Sequence, residues 1–274
     1  MSMDDRHARF AALHETGTFV MPNPWDIGSA RMMAAMGAQA LATSSAAHAF
    51  TLGRPDLGGV TRDEALAHAE AIVAATPLPV SGDFENGFGD SPAEVAETVR
   101  LAGEVGLSGC SIEDIQMVPG NPAYDRDLAL DRIKAAVEAA RGLNRPFVLT
   151  ARADGVMHGV YDLAEGIARL QVFEAAGADC LYLPVPPGAA ELQQVVDAVS
   201  KPVNALAVGP LRKASVAELG AMGVRRISLG SVVARVTHAA IRDTMDALMA
   251  GDLSVAGHAA RGDEIDAMLV KGAG

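Results

Sequence analysis

Short apolar runs alternate along the chain with longer stretches in which apolar positions recur three and four apart. The short runs fall at 18–21, 38–43, 79–83, 108–113, 147–151, 180–184, 202–206 and 226–229, and each has the length of a buried strand. Between them, 62–75, 93–105, 128–140, 163–176 and 232–249 carry helix formers at helical period. Two helix starts are marked by capping boxes, Thr61 with Glu64 and Ser91 with Glu94, the second with Pro92 at the first helical position. Gly37, Gly106, Gly177 and Gly223 each close an Ala-rich helix just before a strand, which suits a left-handed C-cap. Strand and helix alternating eight times predicts a (β/α)8 TIM barrel. An open doubly wound sheet is the alternative.

Composition sets the scale of that fold. The chain has 274 residues, half of them hydrophobic, enough for one large core, and barrels of this kind run to about 250 residues as one domain. We therefore expect a single domain over 1–274, the last ~25 residues forming a C-terminal helical extension. A formal net charge of -12 argues against nucleic acid and anionic membranes, whose binding depends on clustered Lys and Arg. No apolar run approaches the roughly 20 residues of a membrane span, and the charged N-terminus lacks an apolar signal segment, so a cytoplasmic location is expected. Cys110 and Cys180 lie in strand-like runs, where cysteine serves as a small hydrophobe.

The chemistry-bearing residues gather where strands end, the rim on which barrels of this type carry their active sites. Asp83 and Glu85 stand where an apolar run gives way to glycines, and Glu113 with Asp114 ends another run. Carboxylates spaced i, i+2 at a strand mouth can converge on Mg²⁺, which prefers oxygen ligands and keeps part of its water shell. Solvated acids in turns are the alternative. Thr43, Ser44 and Ser45, followed by Ala46 and Ala47, offer hydroxyls and successive N–H groups that could cradle a carboxylate, or could form a plain loop. Arg152 leaves the fifth strand at the same rim, where a guanidinium can fork onto a carboxylate or phosphonate, or pair with a neighbouring loop. His48, His158 and Asn121 fall in post-strand segments without a firm role. His68, His238 and His258 read as helical and unconnected to the site.

These motifs resemble those of the isocitrate lyase and phosphoenolpyruvate mutase superfamily, especially its short members. The resemblance rests on Leu52 to Asp56, Asp83 to Gly89, Ile112 to Asp114, Ala151 with Arg152, and Ala175 to Asp179, in that order across most of the chain. It implies Mg²⁺, with Mn²⁺ as a substitute, bound by Asp83, while Glu85, Asp56 and Glu113 hold its waters. Thr43, Ser44, Ser45 and Arg152 would grip the carboxylate of a small substrate, and Arg152, Glu113 and Asp56 would take part in the chemistry. Glu85 stands where the family commonly has aspartate. The resemblance also implies a barrel whose last helix is exchanged between subunits, in dimers that pair to tetramers.

Departures from the family narrow the activity. The Lys-x-Cys-Gly-His loop of isocitrate and methylisocitrate lyases is replaced by a segment from Ile115 to Tyr124 with no thiol, and Pro184 stands where lyases carry a glutamate and mutases a histidine. Asn121 occupies the position of a mutase loop asparagine, and Asn204 that of a substrate amide of the lyases. The expectation is a Mg-dependent lyase that breaks a C–C bond of a small 2-oxo or 2-hydroxy acid through a metal-stabilised enolate, oxaloacetate decarboxylation fitting best. Alternatives are P–C chemistry on a phosphonopyruvate, a barrel that binds a 2-oxo acid without turnover, and a phosphate-binding isomerase using Gly230 and Ser231.

Overall fold

The computed structural model describes residues 3–274. Its parallel strands are β1 (Phe19–Met21), β2 (Leu41–Ala42), β3 (Val80–Asp83), β4 (Gly109–Glu113), β5 (Val148–Arg152), β6 (Cys180–Tyr182), β7 (Val203–Leu206) and β8 (Arg226–Ser228). They pair in the order β1-β8-β7-β6-β5-β4-β3-β2, which makes a nearly closed (β/α)8 barrel. The seam between β1 and β2 is stitched by Asn23. Its Nδ2 donates to the Thr43 carbonyl at 3.0 Å, and its Oδ1 accepts from the Leu229 N–H at 3.0 Å.

Around the strands run α1 (Met3–Leu13), α2 (Ile27–Ala35), α3 (Ser45–Thr51), α4 (Arg62–Ala75), α5 (Pro92–Glu104), α6 (Arg126–Gly142), α7 (Gly155–His158), α8 (Leu163–Ala175), α9 (Ala189–Asp197), α10 (Val216–Ala221), α11 (Val232–Met249) and α12 (Gly262–Ala273). The capping boxes at Thr61 and Ser91 form, and the same device starts α2 at Asp26 and α10 at Ser215. The joint glycines take positive φ, 85° at Gly106 and 102° at Gly177, a conformation costly for any residue with a Cβ. One apolar core fills the space between strands and helices. A second, smaller cluster closes the N-terminal end of the barrel, where Phe10 of α1 is fully buried with Phe19, Met21, Val148 and Cys180.

Three local features differ from expectation, each for a physical reason. The second strand is confined to Leu41–Ala42 because Thr43 turns its hydroxyl to accept the Asp83 N–H at 2.9 Å. The sixth ends at Tyr182, since Pro184, Pro186 and Pro187 have no N–H for a ladder and Val185 sits at φ 49°. The segment after β2 is the helix α3 rather than a loop, with Ser44 as N-cap accepting from the Ala47 N–H. His48 is therefore helical, and its ring stacks on that of His68 with centroids 3.9 Å apart. The C-terminal extension is a 3-10 turn (Leu253–His258) followed by α12, which packs on α2 of the same chain, with Gly272 against the Arg31 carbonyl. No helix among the described residues is long and apolar enough to cross a membrane.

Candidate active site

Strand alternation sends Asp83, Ser111, Glu113 and Arg152 from β3, β4 and β5 toward one cavity of about 270 Å³ at the C-terminal rim. The expected residues Thr43, Ser44, Ser45, Asp56, Asp83, Glu113, Arg152 and Asn204 all line it. Two do not. Glu85, at φ 47°, turns into an adjacent cavity with Gly58 and Met117, where its Oε1 accepts the Gly58 N–H at 3.1 Å. Asn121 lies in the post-β4 loop at φ 41° and meets His158 Nδ1 at 3.3 Å, so it ties that loop to the end of α7 and contributes nothing to the cavity wall.

Asp83 is clasped from two sides. Its Oδ2 accepts both the N–H and the hydroxyl of Ser45 at 2.9 Å, and its Oδ1 accepts Arg152 Nη1 at 2.9 Å and the Ser111 hydroxyl at 3.2 Å. The same Nη1 lies 2.8 Å from Glu113 Oε1. Opposite, Arg152 forks onto Asp154, Nε to Oδ1 at 3.0 Å and Nη2 to Oδ2 at 2.7 Å, while its guanidinium lies over the Tyr182 ring. Asp154 is fully buried and is held in turn. Its N–H donates to Asp114 Oδ1 at 2.8 Å, and Asp114 Oδ2 accepts from the Tyr161 hydroxyl and Arg169. The pairing with a neighbouring segment is thus seen, and the guanidinium so anchored also lines the cavity.

Charge in this cluster is unbalanced. Three carboxylates surround one guanidinium, and Asp56 and Glu85 stand nearby. Burial opposes the charge on Arg152, but Asp154, Glu113 and Asp83 outweigh it and hold the proton firmly. Glu113 is driven the other way, its carboxyl raised well above the usual range by burial, with Arg152 opposing and Asp154 and Asp83 adding to the rise. Glu85 is pushed up to about 7, first by burial and then by Asp83 and Asp56. Asp56, on an exposed loop, is raised chiefly by desolvation of its carboxyl at the cavity edge. Surplus negative charge in an all-oxygen donor set of Asp83, Asp56, Glu113, Ser111 and Thr43 fits a hard divalent cation. Among the described residues no three acidic, histidine or cysteine side chains converge as a direct cage. The set therefore suits an ion held by one or two carboxylates and its own waters.

Ser111, Tyr182, Asp154 and Asn23 belong to the site although the sequence did not single them out. Ser111 and Asp154 carried a signal, each standing two residues from a recognised site residue on a strand or its exit. Among the described residues, no thiol and no imidazole lines the cavity. Cys110 and Cys180 are fully buried within their strands, and burial pushes both thiols up.

Comparison with known proteins identifies the family. The family profile described as phosphoenolpyruvate phosphomutase matches residues 10–249. Oxaloacetate decarboxylase of Paraburkholderia xenovorans (strain LB400) is 31% identical over 243 residues, covering 86% of this chain and 79% of that protein. Among solved structures, a Burkholderia cenocepacia J2315 protein provisionally described as a lyase/mutase superposes with TM-score 0.92 at 45% identity, covering 97% of this chain and 95% of that one. An oxaloacetate acetylhydrolase bound to its product oxalate gives TM-score 0.87 at 27% identity, covering 97% and 94%. The chain belongs to the phosphoenolpyruvate mutase/isocitrate lyase superfamily.

Proposed function

We propose that this protein is a divalent-metal-dependent carbon–carbon lyase acting on a small 2-oxo acid, with oxaloacetate decarboxylation as the favoured reaction and Mg²⁺ as the favoured ion. The observation that carries this reading is the clasp on Asp83. Ser45 and Arg152 already close on a carboxylate from opposite sides, and a substrate C1 carboxylate has the same shape and charge. The relatives named for oxaloacetate chemistry support the choice of substrate.

Asp83 would hold the ion directly, and Asp56 and Glu113, which line the same cavity, its waters. When bound, the ion supplies Lewis-acid polarisation of the substrate carboxylate and C2 carbonyl. Arg152 and Ser45 orient the C1 carboxylate, and the fork to Asp154 keeps the guanidinium from rotating away. The C3–C4 electron pair passes into the three-carbon fragment as carbon dioxide departs, leaving an enolate that takes a proton at C3. Water supplies that proton, no cysteine or histidine lining the cavity among the described residues. Decarboxylation tolerates this, because its leaving group needs no proton from the protein.

The test incubates the protein with Mg²⁺ and oxaloacetate, phosphonopyruvate, methylisocitrate and 4-hydroxy-2-oxo acids, following products by NMR. Pyruvate from oxaloacetate, abolished by EDTA and in Asp83→Ala, is the expected result. Turnover that ignores both would sink the metal reading. Turnover of phosphonopyruvate alone would replace it with P–C chemistry.

A further inference from the structure

A proton that reaches C3 has to be delivered from a defined side of the cavity, and one side chain on the wall is built to deliver it. Tyr182 is the last residue of β6, and it is the only tyrosine lining the cavity among the described residues. Across the sheet it pairs with Arg152 on one side and Asn204 on the other. The side chain is buried, and Arg152 Cζ lies 4.8 Å from the ring centroid. Its hydroxyl is within hydrogen-bonding reach of Ser228, which ends β8 and lines the same cavity.

The direction of the hydrogen bonds behind Tyr182 is fixed by donor chemistry. Arg226 Nε can only donate, so the fully buried Asn204 turns Oδ1 toward it at 2.8 Å and its amide nitrogen away. That nitrogen donates to Ser228 Oγ at 2.9 Å. The Ser228 hydroxyl, already an acceptor, is left with its own proton for the Tyr182 oxygen. A phenol that accepts from behind keeps its O–H free for the cavity in front.

The other wall groups are poorer donors for carbon. Guanidinium groups do not release protons in proteins, and serine and threonine hydroxyls are weaker acids than a phenol. The carboxyls of Asp83 and Glu113 lie on the β3 and β4 side, engaged by Arg152. Burial raises the Tyr182 phenol above its ordinary range, so its acid form is present at neutral pH, while Arg152 acts in the opposite direction and eases formation of the phenolate. An enolate carbon is basic enough to take a proton from so weak an acid.

We propose that Tyr182 is the catalytic acid that hands its hydroxyl proton to C3 of the enolate, oriented for this by the chain from Arg226 through Asn204 and Ser228. The Tyr182 O–H bond breaks as a C3–H bond forms from the C2–C3 electron pair, and C2 returns to a carbonyl. The phenolate then regains a proton from water, and the hydroxide left behind combines with the departed carbon dioxide as hydrogencarbonate. Water remains the source of the proton, and Tyr182 is its carrier. This rests on the 2-oxo acid reading above.

The test uses pyruvate, whose methyl protons exchange with D2O through the same enolate without any C–C bond breaking. Exchange is followed by NMR with Mg²⁺ on the wild-type chain and on Tyr182→Phe, which keeps the ring beneath Arg152. Wild type should accelerate exchange over Mg²⁺ alone, and the variant should lose at least about 100-fold of that rate. Oxalate, a planar mimic of the enolate, should bind both within about threefold by calorimetry, since the ring and the guanidinium are retained. In EDTA the two Tm values should agree within about 2 °C. With oxaloacetate, the variant should release carbon dioxide ahead of pyruvate, as enolpyruvate leaves and ketonises in solution. Exchange by the variant at the wild-type rate overturns the proposal. So does a loss of oxalate affinity as large as the loss of exchange, which would make Tyr182 a support for Arg152 alone. Should Tyr182→Phe not fold, Ser228→Ala decides, a fall of about tenfold in exchange upholding the chain and an unchanged rate overturning it. Exchange by wild type that is lost in the variant, without decarboxylation of oxaloacetate, would uphold Tyr182 and remove the lyase reading. Decarboxylation by wild type without exchange would do the reverse, and the absence of both would overturn the two together.

Discussion

At the scale of single residues, Arg152 is held by one carboxylate so that it can serve another. Replacing Asp154 with Asn keeps the shape but removes a charge from a fully buried fork. The expected cost is about 2 kcal/mol of stability, the low end for a broken buried pair because Glu113 and Asp83 still face the guanidinium. Turnover of oxaloacetate should fall mainly through a raised KM, and an unchanged kcat/KM would remove Asp154 from this role. Glu85 makes a different prediction, set by pH. Its carboxyl titrates near 7 in the fold against 4.5 for the free group, so between these values the native state keeps a proton that the unfolded chain has released. Stability from this group is therefore full below about pH 4.5 and is lost as pH rises through 7, by up to about 3 kcal/mol. Urea unfolding in EDTA at pH 5 and pH 8 should show that loss, and Glu85→Gln should flatten it. Asp83, Glu113 and Arg152 were legible in the sequence because each ends an apolar run. Arg226 was not, since a charged residue opening a strand points into or out of a barrel according to register alone.

Elements fix these residues through small, strict choices. Gly109 opens β4 where an added Cβ would collide with the Val148 carbonyl and meet Phe10 at 3.0 Å, and neither the backbone nor the plugged end can yield. Gly109→Ala is therefore expected to destabilise by about 2 kcal/mol or more, as overpacking does. It should also impair activity, because β4 carries Ser111 and Glu113. A variant with wild-type Tm would show that the strand can shift. Ser91→Ala removes the cap of α5, which lies outside the cavity, and should cost about 1 kcal/mol with kcat unchanged. The contrast between these two separates strands that aim the site from helices that support it. Periodicity predicted both elements. It missed α3, because the short Ser/Ala segment after β2 has too few turns to show a helical period, and its helical state is decided by the Ser44 cap and by Asp83 receiving Ser45.

The order of strand and helix across the whole molecule was readable from apolar spacing, since each strand of a parallel barrel is buried on both faces and stands out as a continuous run. Assembly was not readable in that way, yet the surface argues for it. In α11 only Ala234 is buried, although the helix is 18 residues long and amphipathic. Ile241, Met245 and Met249, spaced four apart on one face, are 60%, 45% and 77% exposed. Adjacent exposed Leu253 extends the apolar stripe beyond the end of the helix. A helix this apolar gains little from standing in water, whereas covering each large side chain contributes roughly 1.5 to 3 kcal/mol. A second copy of the chain is the occupant we expect, its own α11 meeting this stripe, while α12 stays on α2 of its own chain. Native mass spectrometry should therefore show a multiple of the 28.2 kDa chain. The double variant Ile241→Glu with Met245→Glu should shift the population to monomer while leaving the barrel's circular dichroism intact. A wild-type chain that is monomeric at micromolar concentration would leave the stripe without that partner. A variant that stays assembled would move the interface elsewhere on the surface. Because Arg235 of the same helix lines the cavity, the monomeric variant should also lose affinity for substrate, joining assembly to the site through one helix.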